Sequence, residues 1–181
     1  AFEERIADLQ DLSRRVQANL AGIKLSLIEG GETRQLSIAL AIAEVESSAE
    51  VILVHDAARC FASAQLFRNV ANALSESVVV IPVMPVADTV KRVSGSKILG
   101  TEDRSALRLA QTPQGFRTAL LKTAISETSE DFTDEAALMQ SLGFEVESVI
   151  GEATAFKVTT AADLDRARGN IGARATGIGT D

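Results

Sequence analysis

Apolar residues recur along this chain with two different periods, and the switches between them define the elements. Phe2, Ile6, Leu9, Leu12, Val16 and Leu20 stand at helical spacing among charged residues, which predicts an amphipathic helix at the start. Ile23 to Ile28 is short and β-prone. Gly30-Gly31 after it reads as a turn into a second helical pattern through Leu36, Leu40 and Ala43. Val51 to Val54 is a continuous apolar run of strand length, suited to a strand covered on both faces, and His55 and Asp56 end it. Ser63 is placed to cap a helix through Leu66, Val70 and Leu74, and Val78 to Val83 reads as a further buried strand.

From Thr89 to Thr101 the pattern changes to two short β-like pieces, TVKRV and KILGT, joined by Ser94-Gly95-Ser96, a hairpin signal. Lys91, Arg92 and Lys97 are too many cations for a buried strand, so the hairpin is expected to project as an arm. Helices follow from about Arg117 to Glu127 and from Thr133 to Leu142, the second stopped by Gly143. Val146 to Ile150 and Ala155 to Val158 read as strands, and Thr160 with Asp163 is a capping signature for a last short helix. Beyond Arg168 the glycine-rich GNIGARATGIGTD reads as a linker, dividing the chain into a domain at 1–168 and a tail at 169–181. Alternating strands and helices predict a three-layer α/β domain with a mainly parallel sheet and a projecting β-hairpin arm.

Composition narrows the chemistry. The 181 residues suit one domain, and 46% hydrophobic with 24% charged residues is ordinary for a globular chain. One Cys and one His exclude an intrachain disulfide and a closed zinc site, and suit a reducing compartment. A net charge of -7 weighs against nucleic-acid binding, which relies on clustered Lys and Arg. The longest apolar stretch, Val78 to Ala87, is broken by Pro82 and Pro85 and is too short to span a bilayer. The first residues lack the pattern of a signal peptide, so a cytoplasmic location is expected.

In open α/β sheets ligands bind beyond the carboxyl ends of strands, which singles out His55, Asp56, Ala57, Ala58 and Arg59. Asp56 can hold a hard cation such as Mg²⁺ and Arg59 can fork onto a phosphate, while the two alanines let a ligand approach the backbone. An Asp56–Arg59 ion pair that merely ties the loop accounts for the same residues equally well. His55 alone reads as a hydrogen-bonded structural residue. Gly30 to Ser37, at a helix entry, can receive an anion or a polar base, or can be only a turn. Thr112 and Thr133 offer hydroxyls, the latter with helix capping as its ordinary role, and Lys157 stands between Phe156 and Val158 with its charge aimed at a cleft. Cys60 reads as a small hydrophobe, and no Ser–His–Asp or Cys–His set supports covalent catalysis. What remains is equipment for positioning phosphates.

Taken in order, GGETRQLSI at 30–38, VILVHDAAR at 51–59, PVADTVKR at 85–92, TEDRSAL and AQTPQGFR within 101–117, FTDEA at 132–136 and AFKVTT at 155–160 resemble the 2-C-methyl-D-erythritol 4-phosphate cytidylyltransferases of the non-mevalonate isoprenoid pathway. The resemblance covers about residues 23–168 and implies a nucleotidyltransferase (Rossmann-like) fold. It implies that Gly31, Glu32 and Ser37 surround the cytosine and ribose of CTP, with Asp56, Ala57 and Lys157 also at the nucleotide. Asp56 would lie near Mg²⁺ and the methylerythritol hydroxyls, with Arg59 close by, and Thr89, Thr112 and Thr133 would contact this second substrate. Arg104 would reach the substrate phosphate of a neighbouring subunit, which implies a homodimer through the arm at 88–104. Lys157 would neutralise charge at the reacting phosphates as a substrate phosphate oxygen attacks the α-phosphorus of CTP and pyrophosphate leaves.

Two departures accompany the resemblance. The family's opening strand and glycine-rich triphosphate loop, bearing an Arg and then a Lys, would precede Ala1, and Cys60 stands where the family usually has Pro. ATGIGTD at 175–181 resembles the opening strand of the 2-C-methyl-D-erythritol 2,4-cyclodiphosphate synthases, whose Asp-x-His motif would begin at Asp181, so a fused second enzyme is one reading of the tail and a flexible linker the other. Cytidylyl transfer to ribitol 5-phosphate, and a non-catalytic dimerising remnant, are the alternatives to the leading activity.

Overall fold

The computed structural model describes residues 22–128 and 132–176, together with Asp11 and Arg14. Most of the helix expected over residues 2–20 lies outside the described residues; Asp11 and Arg14 are helical. The chain divides into two compact units, Ala1–Val45 and Glu46–Asp181.

In the first unit, helix α1 (Arg34–Ala43) starts at Thr33, whose side chain accepts a hydrogen bond from the Leu36 amide. Ile23 to Ile28, expected as a strand, has no regular structure. A β-prone run becomes a strand only where a second backbone supplies its ladder, and no described strand pairs with it.

The second unit contains β1 (Val51–Val54), α2 (Ala64–Ala73), β2 (Val79–Pro85), β3 (Lys91–Ser94), β4 (Lys97–Thr101), a 3₁₀ turn at Arg104–Ala106, β5 (Arg108–Ala110), β6 (Gln114–Arg117), α3 (Thr118–Glu127), α4 (Glu135–Ser141), β7 (Glu147–Ile150) and α5 (Ala161–Thr176). The main sheet has the order β1-β6-β2-β5, with β7 also on β2. The expectation of a mainly parallel sheet requires correction, because three of these four pairings are antiparallel and only β2–β7 is parallel. The cause is β6, which runs between β1 and β2 in the opposite sense. Its sequence, QGFR, has neither alternation nor a β-branched residue to announce it. β1 and β2 nevertheless share a direction, as the α2 crossover between them requires.

Both faces of the sheet are covered. Leu53, Gly115 and Val80 lie side by side on one face, beneath Val70 of α2 and Leu74 at its C-terminal cap. Ile52, Phe116 and Val79 are their neighbours on the other face, and Phe116 and Val79 are fully buried. Leu121 of α3 and Met139 of α4 are also fully buried, with α3 packed on β6 and α4 on β2. Gly115 is required by this packing, since a Cβ there would sit 2.7 Å from Val70 Cγ1 and 2.9 Å from Leu74 Cδ1.

The arm forms as expected. β3 and β4 make a separate two-stranded sheet, Gly95 turns it at φ 56°, and Val93, Ile98 and Leu99 are exposed. Two further expectations change. Ala155 to Val158 is not a strand but a strap, held by a 2.9 Å bond from the Val158 amide to the Ala58 carbonyl. The final helix runs to Thr176, well past Arg168 into the stretch read as a linker. Its alanines favour the helix, and glycine weakens a helix by about 1 kcal/mol without ending it. Its start is well fixed: Asp163 Oδ2 accepts from the Thr160 hydroxyl (2.8 Å) and amide (2.9 Å) and from the Thr159 hydroxyl and amide (3.1 Å each). The Thr160 hydroxyl returns a bond from the Asp163 amide, completing a capping box.

Replacing Gly115 with Ala should overpack the α2 face and lower stability by about 1–3 kcal/mol. A denaturation midpoint equal to that of the parent would contradict this packing. The Thr160 hydroxyl, followed by the other three donors, lowers the Asp163 pKa from 3.8 to about 2. Stability from this cap is therefore present above the unfolded value and lost as the pH falls toward about 2. Asp163→Asn should flatten that part of the acid limb in thermal unfolding; curves that stay parallel from pH 5 to about pH 2 would exclude the assignment.

Candidate functional site

The residues that bear charge gather where β1, β2 and β7 end and β6 begins. Val54 pairs with Gln114, so the chain leaves β1 level with the segment that enters β6. The Asp56 amide donates to Thr112 Oγ1 at 3.0 Å, and the same hydroxyl lies 3.0 Å from His55 Nδ1. The Asp56 carbonyl accepts from the Arg59 amide at 2.9 Å, which folds the loop into a turn. The exposed Ala57 lies at its apex with Ala58.

Arg59 reaches three separate segments. Its Nη1 donates to the Ala155 carbonyl at 2.9 Å, its Nη2 to the Ala110 carbonyl at 3.2 Å, and its Nε faces Asp56 Oδ2 at 3.7 Å. Its side chain is 13% exposed, and burial lowers its pKa against the opposing charge of Asp56. Lys157 is different: its Nζ lies 3.1 Å from Asp56 Oδ2, but its side chain is 44% exposed. The lysine segment is held on both sides, by the Val158 amide on Ala58 and by Phe156, which stacks on Phe61 and carries Arg166 3.8 Å above its ring. Asp56 thus presents Oδ2 to two cations, while neither bond nor ion pair reaches Oδ1 among the described residues.

His55 packs against Phe67 of α2, with 4.8 Å between ring centres. Desolvation lowers its pKa, opposed by the Arg59 backbone and the Asp56 charge.

Gln111 and Glu152 were not anticipated. Gln111 is 6% exposed and exchanges two bonds with the Glu152 backbone, Nε2 to the carbonyl at 2.8 Å and Oε1 from the amide at 2.9 Å. The Glu152 carboxylate in turn accepts from the Ser63 hydroxyl (2.5 Å) and amide (3.2 Å) at the start of α2. Ser63 itself caps that helix through the Leu66 amide, as its position suggested. An acid two residues after a strand was a readable signal, but its partner 89 residues away was not.

Thr89, Thr133 and Arg104, also expected at the site, stand outside the bonds of this cluster. Thr89 is exposed between β2 and β3, and Thr133 is exposed beside Asp134, which is the true cap of α4 through the Ala137 amide. Gln114 braces that turn, donating to Asp134 at 2.9 Å and accepting from the Ala136 amide at 3.2 Å. Arg104 donates to the Ala87 carbonyl and lines a groove of about 510 Å³ with Pro85, Val86 and Arg108. None of the three shares a hydrogen bond or ion pair with Asp56, Arg59 or Lys157 among the described residues. In the first unit, the Gly31 amide donates to Ser37 Oγ at 3.0 Å, and that hydroxyl donates to the Thr33 carbonyl at 2.9 Å. A Cβ on Gly31 would collide with Leu36, and Glu32 is exposed at the helix entry.

A mixed sheet covered on both faces, with an acid and two cations beyond its strand ends, is the arrangement of a nucleotidyltransferase-like α/β domain. The chain belongs to the IspD family, 2-C-methyl-D-erythritol 4-phosphate cytidylyltransferase, whose family model matches residues 6–172. It is 45% identical over 165 residues to the bifunctional enzyme IspD/IspF of Clavibacter michiganensis, covering 90% of this chain and 40% of that protein. It is 42% identical over 156 residues to the 2-C-methyl-D-erythritol 4-phosphate cytidylyltransferase of Saccharopolyspora erythraea, covering 82% of this chain and 70% of that one. The crystal structure of the Thermus thermophilus enzyme of the same name superposes with a TM-score of 0.74 at 39% identity, over 84% of this chain and 79% of that one. The chain thus spans less than half of the bifunctional relative. No helix among the described residues is long and apolar enough to cross a membrane.

Gln111→Leu should lower stability by about 1–3 kcal/mol, because the Glu152 amide and carbonyl lose their partners in a half-buried setting. Chemical denaturation measures this, and a change under about 0.5 kcal/mol would mean that water replaces the amide.

Proposed function

We propose that the protein to which this chain belongs transfers the cytidylyl group of CTP to 2-C-methyl-D-erythritol 4-phosphate. A phosphate oxygen of the methylerythritol substrate forms a bond to the α-phosphorus, the α–β anhydride bond breaks, and pyrophosphate leaves with the electron pair. No covalent enzyme intermediate is needed, so the protein's work is alignment and charge compensation.

The observation that carries this reading is the unequal pair of cations on Asp56. Arg59 is bound to two carbonyls and stays with the loop, whereas Lys157 is a half-exposed ion pair. Such a pair is worth at most about 1 kcal/mol in water, so Lys157 can leave Asp56 for an incoming phosphate. The donor set also suits magnesium: Asp56 supplies one carboxylate with an open oxygen, and Mg²⁺ is typically held by one or two carboxylates, water and substrate phosphates. When bound, Mg²⁺ supplies charge withdrawal from the phosphate oxygens. Asp56 would hold it while Lys157 meets the charge that builds at the α-phosphate. Gly31, Glu32, Ser37 and Ala57 would receive the base and ribose, and Thr112 and Thr133 the methylerythritol. Thr89 would likewise contact the methylerythritol, and Arg104, just beyond the arm, would reach the substrate phosphate of a second copy, which makes the working form a homodimer.

The full-length native protein with CTP and Mg²⁺ should release pyrophosphate on addition of methylerythritol phosphate and not of ribitol 5-phosphate. Release with ribitol 5-phosphate alone would overturn the substrate assignment. Lys157→Ala should reduce kcat by roughly a hundredfold, the scale of one lost charge-stabilising group, without lowering the melting temperature. An unchanged kcat would remove Lys157 from the reaction.

A further inference from the structure

The only histidine of the chain sits one residue before Asp56, with its ring bonded to the Arg59 backbone. Its bond to another side chain joins it to Thr112. That hydroxyl is 56 residues from Asp56 in sequence and is the acceptor for the Asp56 amide. We propose that His55 is a positioning residue for Asp56, acting through Thr112.

A hydroxyl has one hydrogen and two lone pairs. Thr112 Oγ1 uses one lone pair for the Asp56 amide, so its hydrogen is available to His55 Nδ1, 3.0 Å away. In this assignment the ring is the acceptor and carries its own hydrogen on Nε2. Phe67 holds the ring in place from α2, and Thr112, 5% exposed, is shielded from water. The chain of contacts runs from α2 through Phe67, His55 and Thr112 to the backbone of Asp56. It pins the entry of the turn, while Arg59 pins its exit through Ala155 and Ala110. Without an acceptor at Nδ1, the Thr112 hydroxyl can rotate to another carbonyl and release the Asp56 amide. The carboxylate would then lose its fixed direction, although its charge and both cations remain. The same contacts leave Thr112 a single lone pair for a ligand, so any group that it meets must be a hydrogen-bond donor, as the hydroxyl of a polyol is.

The catalytic consequence rests on the role proposed above for Asp56, but the contact itself can be tested without turnover. Asn at position 55 presents Oδ1 close to where Nδ1 lies, and Leu presents no acceptor. In the full-length protein, His55→Leu should speed hydrogen exchange at the Asp56 amide by roughly fivefold or more, the scale of one lost hydrogen bond. His55→Asn should restore protection, and Thr112→Val should reproduce the Leu result. Amides of β2 and β6 should be unaffected. Where pyrophosphate release is measured, His55→Leu should lower kcat with little change in the KM for CTP, and His55→Asn should recover most of it. Asp56 exchange equal to that of the parent in His55→Leu would overturn the proposal. Equal loss in the Asn and Leu variants would overturn it as well, because the ring would then act through its packing on Phe67 or its bond to the Arg59 backbone and not through Thr112. These results are read from exchange alone, so a protein that fails to turn over methylerythritol phosphate would refute the proposed function and leave the outcome for His55 decided.

Discussion

One guanidinium joins parts of the second unit that the chain keeps far apart. Arg59 binds the carbonyl of Ala110 at the end of β5 and that of Ala155 beyond β7, 51 and 96 residues away. It does so from a turn that it also closes with its own amide. A planar fork with five donors is suited to this, whereas a lysine could not reach two fixed carbonyls at once. Removing it from water is costly, which is why its pKa falls with burial, and the neighbouring Asp56 carboxylate offsets part of that cost. The position of Asp56, and through it that of Lys157, depends on this tie.

Sheet direction makes the tie geometrically available. β1, β2 and β7 all point the same way, so their exits lie along one edge, and β6, running oppositely, begins there. Val83 pairs with Ala110 on one side and with Ile150 on the other, which brings the exit of β7 and the approach to β6 together across β2. The Gln111–Glu152 exchange then holds those two segments together, and Glu152 fastens them to the start of α2. A sheet with parallel pairing throughout would have placed helix-bearing crossovers, not the short Gln111–Pro113 connection, beside Asp56.

How much of this could be read beforehand depended on whether an element was announced by local pattern or by distant pairing. Val51–Val54, the Ser63 cap, the hairpin at Gly95 and the Thr160–Asp163 box all follow from neighbours within four residues, and each formed where its residues indicated. β6 has no local pattern and exists because β1 and β2 flank it. Ile23 to Ile28 is the converse, a β pattern that no described strand completes. At the site, Asp56, Arg59, Lys157 and Thr112 were legible as residue types at strand ends, and they do meet. That Arg59 would spend both ends of its fork on carbonyls was not legible, since an arginine beside a phosphate loop and one that ties a loop look alike in sequence. Of the two readings left open for the Asp56–Arg59 pair, the structure shows the loop tie, and the Arg59 fork expected on a phosphate is taken by the Ala110 and Ala155 carbonyls.

That outcome divides the labour between two cations on one oxygen. A cation that must follow phosphate charge as it shifts between attacking, transferred and leaving groups needs a weak initial partner and a flexible stem. Lys157 has both, being half exposed and paired only through Nζ. A cation that must keep a carboxylate in register needs many fixed partners and little water, as Arg59 has. Exchanging the two residue types would satisfy neither requirement, because lysine at 59 would leave a carbonyl unpaired and arginine at 157 would hold Asp56 through two bonds and release it less readily. On the function proposed above, the identities at these positions would follow from the difference in mobility that phosphoryl chemistry asks of them, over and above their common charge.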